Sequence, residues 1–224
     1  MSKKFQCYDK CGLCCENPAI IVSPSLGDLY RIGQKHNKTV LDVADESTTV
    51  WFTDSSYRRV GMVFEMPCHY LDDKICSVHE SKPVICRMSP EDFIAGKADD
   101  PAAYQYFPCI TEATSITQEQ KRILRSLKKL MDKEKHITDR YIYNPALTVN
   151  PNRKEYLKTN RMFRTAIEGK EDDLLFVIKC EQDALKKDFL DTLIQRLEKA
   201  VKKSRVMDAL RSNSDIYFSL LAKT

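Results

Sequence analysis

No stretch of this 224-residue chain stays apolar over the roughly 18 residues that a spanning helix needs, which excludes a helical membrane protein. The first residues, Met-Ser-Lys-Lys-Phe-Gln-Cys, bring two lysines but no apolar segment of signal-peptide length, so a cytoplasmic location is expected. Charge is equally uninformative. Lys and Arg number 36 against 32 Asp and Glu, a formal +4 with no block of one sign, so no nucleic-acid partner and no membrane partner is expected. A phosphate loop, a dinucleotide-binding glycine fingerprint and a Ser-His-Asp set are all missing, as are internal repeats and low-complexity segments.

What the chain does have is sulfur in one half. Cys7, Cys11, Cys14 and Cys15 fall within nine residues, Cys68, Cys76, Cys86 and Cys109 follow, and the ninth, Cys180, stands alone in an apolar run. A reducing compartment keeps thiols free and makes ligation or catalysis the common reason to cluster them, and an odd count fits a disulfide framework poorly. The spacing Cys7-x3-Cys11-x2-Cys14 matches a three-thiolate grip on a [4Fe-4S] cluster, with Gly12 allowing the tight backbone such a loop requires. Zinc, the alternative, more naturally shows paired Cys-x2-Cys units.

Composition shifts near residue 115. Seven of the nine prolines and eight of the nine cysteines precede that point, and long amphipathic patterns follow it. The expected fold is therefore α+β: a small cysteine-rich metal-binding domain of short strands and turns over residues 1–115, then a mainly α-helical region over 116–224. In the first part, Ile20-Ile21-Val22 reads as a β-like run, and Ser25 caps a helix with Leu26, Leu29 and Ile32 on one face, stopped by His36-Asn37. Thr39 to Asp42 repeats the cap on a shorter helix. Val50-Trp51-Phe52 and Val60 to Phe64 read as a hairpin around Asp54-Ser55-Ser56, and the turn Leu71 to Lys74 separates Cys68 from Cys76. Ser77 to Pro83 reads as short and helix-like, with Pro83 at a first helical position ahead of Cys86.

In the second part Thr117 to Gln120 forms a capping box for a helix carrying Ile123, Leu124, Leu127, Leu130 and Met131. Tyr141 to Pro151 reads as a loop, and Glu155 to Ile167 as a weaker helix ended by Gly169. Leu174 to Ile178 fits either a strand or a buried helix. Phe189, Leu193, Leu197 and Val201 mark a further amphipathic helix, and a final one covers Asp215 to Leu221.

The arrangement Cys7 to Cys-Gly-x-Cys-Cys15, then Cys68-x2-Leu71 with Cys76-x6-Pro83-x2-Cys86-Arg87, resembles the CxxCxxCC family of zinc- or iron-chelating or iron-sulfur-cluster-containing proteins. Ser25-Leu26-Gly27-Asp28-Leu29 looks like the helix opening found between that family's two cysteine groups. The likeness spans about residues 5 to 112 and departs from the pattern in the first gap, in His79 where tyrosine is usual, and in Lys82 before Pro83. It implies metal or cluster binding by Cys7, Cys11, Cys14, Cys15, Cys68, Cys76 and Cys86, with Cys109 as an eighth ligand.

Three functions compete on these grounds. The first is an iron-sulfur protein with an accessory or redox role. The second is an enzyme that uses its cluster with S-adenosylmethionine, similar to protein lysine methylases, because Cys7, Cys11 and Cys14 coincide with the radical-enzyme spacing. The third is a zinc-bound interaction module whose helical region contacts a protein partner or substrate. His79, three residues after Cys76, is a candidate mixed ligand, and Arg87 a candidate hydrogen-bond donor near the cluster.

Overall fold

The computed structural model describes residues 12–17, 20–52, 60–65, 67–89, 91–94, 115–144 and 171–222. After a single turn of helix, α1 (Leu13–Glu16), come α2 (Leu26–His36) and α3 (Val40–Ser47). Both longer helices begin with capping boxes: Ser25 accepts from the Asp28 N–H while Asp28 reaches back to the Ser25 N–H, and Thr39 and Asp42 do the same. Asn37, in the left-handed region at φ 53°, ends α2.

Strands β1 (Thr48–Phe52) and β2 (Val60–Phe64) form the expected antiparallel hairpin, in register from Thr48 opposite Phe64 to Phe52 opposite Val60. The expected turn at Asp54 to Ser56 lies outside the described residues. Ile20 to Val22 joins no ladder; Val22 is held instead by one bond, its carbonyl accepting from the Phe64 N–H at 2.9 Å, and it is buried beside α2. A second, two-residue hairpin, β3 (Leu71–Asp72) with β4 (Ile75–Cys76), turns through Asp73 and Lys74, both at positive φ. Ser77 to Ser81 is a run of turns rather than helix. Pro83, extended at ψ 147°, caps α4 (Val84–Met88) from outside instead of starting it. A further turn of helix, α5, covers Glu91–Ile94.

Helix α6 (Gln118–Thr138) opens on the Thr117 capping box and runs into a π-helical turn, Asp139–Tyr143, where a loop was expected to start. The ambiguous Leu174 to Ile178 segment is helical, part of α7 (Glu171–Val201), and the last helix, α8 (Ser204–Leu221), starts well before Asp215. The expected helix over Glu155 to Ile167 lies outside the described residues.

Two apolar clusters hold these elements. The larger joins Leu26, Leu29 and Ile32 of α2 to Val43, Val50, Met62 and Phe64, and then to Ile142, Leu193, Leu197 and Leu210 of the helical region. The smaller packs Val84 and Met88 of α4 on Ile123, Leu127 and Leu130 of α6 and on Tyr217 of α8. Both clusters therefore draw on residues from each side of position 115.

Between them lies a buried charge cluster. Arg31 has no exposed surface; its guanidinium pairs with Asp28 and Glu134, both also buried, and stacks on the Tyr217 ring with 4.4 Å from Cζ to the centroid. Burial alone would lower the guanidinium pKa, but Asp28 and Glu134 outweigh it and hold the value above normal. Glu134 is itself raised, by burial first and then by the Asp28 charge. Gly27 makes room for this meeting, since a Cβ there would collide with the Glu134 carboxylate.

Removing one partner from such a cluster strands a charge away from water. Glu134→Ala is accordingly expected to lower the unfolding free energy by about 3 to 5 kcal/mol, read from urea denaturation of the full chain, against well under ~1 kcal/mol for removal of the exposed Glu119 to Arg122 pair.

Candidate metal centre

Of the eight cysteines expected to bind metal, Cys14, Cys15, Cys68, Cys76 and Cys86 are described, and all five are free thiols. Cys7, Cys11 and Cys109 lie outside the described residues. The five come from separate short elements. Cys14 and Cys15 sit on α1, Cys68 in the turn before β3, Cys76 at the end of β4 and Cys86 in the middle of α4.

Backbone contacts bring these pieces together. The Cys68 N–H donates to the Cys15 carbonyl at 2.8 Å, tying the first thiol loop to the second. Gly12, at φ 61°, begins α1 in the left-handed region, and a Cβ there would press against the Lys74 Cα at 3.2 Å and the Leu71 side chain at 3.4 Å. The first loop can therefore lie directly on the β3–β4 turn only because position 12 lacks a side chain. Leu71 closes onto Cys68 by an N–H···O bond of 2.9 Å, and His79 onto Cys76 at 3.1 Å.

Within this scaffold the Cys14 and Cys15 sulfurs are 3.9 Å apart, and Cys15 also hydrogen-bonds the Cys68 sulfur. Cys15 stands between two sulfurs, and its bonds to them, ahead of burial, raise its pKa. Its neighbours move the other way. The bond from Cys15 brings Cys14 down to about 6, helped by the Lys82 charge, and Cys68 down to about 7. Burial raises Cys76 and Cys86, and both also feel the charges of Cys14 and Cys68. Cys15, Cys76 and Cys86, all raised, would therefore each have to release a proton on binding a metal.

Among the described residues no three His, Cys, Asp or Glu side chains stand close enough together to hold an ion by themselves. The five thiols form one neighbourhood rather than a finished ligand shell. Their chemistry fits soft-metal ligation, since no carboxylate is interleaved among them in the stretch from Gly12 to Cys15, and thiolates prefer zinc, copper(I) and iron-sulfur clusters. His79 lies at the surface, and its pKa is lowered by partial desolvation and by the charges of Lys82 and Arg87. His69 is turned edge-on to Tyr70, with centroids 5.1 Å apart.

Sequence reasoning passed over the groups that position the site. Lys82, the cation acting on Cys14, Cys76 and Cys86, registered only as a departure from a pattern. Arg31 and Tyr217 carry no local signal in the sequence, and Asp28 shows there only as part of the helix opening at Ser25. One signal was available: Glu134 continues the inward stripe Ile123, Leu127, Leu130, and an acid on an apolar stripe calls for a buried cation.

The turn-rich end of this α+β fold gathers five free thiols, the side chains that ligate soft metals. Residues 6–108 match the family model CxxCxxCC, described as "putative zinc- or iron-chelating domain". No curated protein and no solved structure matches the chain. The match ends short of α6, so the helices beyond it are not accounted for by the family.

The proton arrangement has a measurable signature in metal-free protein. Alkylation of Cys14 by iodoacetamide, followed residue by residue by mass spectrometry, is expected to rise with pH to half its maximum near about 6, because only the thiolate reacts. In Cys15→Ala the donor is gone, and the midpoint should move up toward the ordinary thiol range of about 8.5. An unchanged midpoint in that variant would show that Cys15 is not the proton donor.

Proposed function

We propose that the clustered cysteines hold an iron-sulfur cluster, probed most directly through Cys14, Cys15, Cys68, Cys76 and Cys86 and completed by Cys7 and Cys11, in a protein with an accessory or redox role. The observation that carries this reading is the gathering of five free thiols from α1, the turn before β3, β4 and α4 within electrostatic reach of one another. The Cys7-x3-Cys11-x2-Cys14 spacing supplies three thiolates from one loop, the grip that a cubane cluster uses.

The helical environment supports an accessory role over catalysis with S-adenosylmethionine. All strand pairs among the described residues are antiparallel, and no parallel βα unit, on which the familiar radical enzymes build their sites, occurs there. No helix among the described residues is long and apolar enough to cross a membrane.

Metal analysis decides the matter. Protein purified without oxygen is expected to be brown and to contain iron and acid-labile sulfide; colourless protein with stoichiometric zinc would replace the cluster by a zinc centre, and protein without metal would remove the reading altogether. Cys86→Ser should reduce metal content and weaken binding about tenfold or more. Retention of full metal would take Cys86 out of the ligand set.

A further inference from the structure

We propose that Tyr217 and Asp28 are positioning residues for the Cys86 thiol, so that metal binding at the cysteine cluster and the seating of helix α8 on the core are linked. The inference rests on the metal-binding reading above and extends it to a helix that lies outside the family match.

The geometry centres on three residues, Lys82-Pro83-Val84, one residue ahead of Cys86. The Tyr217 hydroxyl donates to the Lys82 carbonyl at 2.8 Å, and the Val84 N–H donates to Asp28 Oδ1 at 2.9 Å. Pro83 between them has a ring-fixed φ and no N–H of its own, so two hydrogen bonds and one ring define the path of the backbone into α4. Val84 and Met88, 1% and 3% exposed, seat the helix on α6 and on the Tyr217 ring. Cys86 lies between these two anchors on a helix of five residues, too short to bend independently of its ends.

Arg31 joins the two clamps. Its guanidinium pairs with the Asp28 oxygen that receives Val84 and stacks on the ring whose hydroxyl holds Lys82. Asp28 is filled on both oxygens: Oδ1 accepts from Arg31 and Val84, and Oδ2 from the Ser25 N–H and hydroxyl, each at 2.8 Å. No free acceptor remains for an alternative position of α4. A Cys86 sulfur drawn onto a metal must therefore either find α4 already placed by these contacts or pull on them.

Linkage makes the effect reciprocal, because whatever factor α8 contributes to metal affinity, metal must return to the seating of α8. Hydrogen exchange of the full chain, metal-free and with cobalt(II), reads both sides, with cobalt affinity taken from the thiolate-to-metal absorption. In the wild type, amides of Ser204–Leu221 should exchange more slowly once cobalt is bound. Tyr217→Phe keeps the ring over Arg31 and loses only the hydroxyl. It is expected to bind cobalt about three- to tenfold more weakly and to lose the same factor from the cobalt-dependent slowing. Ile216→Ala, on the exposed side of the same helix, should change neither. A tyrosine that merely stabilises the fold would speed exchange equally with and without cobalt, which overturns the proposal. So does a wild type that binds cobalt with α8 exchange unaltered, a result available even if the phenylalanine variant fails to fold. A wild type that takes up no cobalt removes the metal-binding reading together with this one.

Discussion

A fully buried guanidinium governs how this chain can fold. Taking Arg31 out of water costs several kcal/mol, and the cost is offset only if both carboxylates and the Tyr217 ring arrive in the same place. Those groups come from α2, α6 and α8, with Glu134 and Tyr217 each more than a hundred residues from Arg31 in sequence. Partial assembly leaves a stranded charge, so the cluster imposes agreement between distant parts of the chain that apolar packing alone would leave loose. Gly27 belongs to the same constraint, because the Glu134 carboxylate occupies the space a side chain would take.

How much of this could be read beforehand follows a physical division. Local signals were legible: the capping boxes at Ser25, Thr39 and Thr117, and the hairpin of Val60 to Phe64 with its partner, are specified by neighbours a few residues away. Errors fell where a segment depends on its surroundings. Ile20 to Val22 has strand propensity but meets an edge through one bond only, and Ser77 to Ser81 follows turns dictated by Tyr70 and Cys76 rather than a helical period. Leu174 to Ile178 was too short an apolar run to distinguish strand from helix without the turns that follow it. The thiol loops were conspicuous in the sequence, whereas the groups supporting them were not. Arg31 and Tyr217 become meaningful only once α8 is laid against α2, a pairing the Ser214 hydroxyl reinforces by donating to Gln34 at 2.9 Å.

Electrostatics at the thiol neighbourhood favour readiness over rigidity. Cys14 and Cys68 are held near or below neutrality by one proton on Cys15, with Lys82 adding positive potential from the Cys86 side. Cys14 is thus mostly thiolate and Cys68 partly so near neutrality, while Cys15, Cys76 and Cys86 would each have to give up a proton to bind a metal. Cys14 is exposed and the other four are partly exposed.

The distance in sequence between Arg31 and Tyr217 also fixes an order of events during synthesis. While the first hundred residues emerge from the ribosome, Arg31 lacks both Glu134 and its aromatic cover, and the backbone entering the Cys86 helix lacks the hydroxyl that receives no substitute earlier in the chain. The thiols are thus translated long before the platform beneath one of them exists.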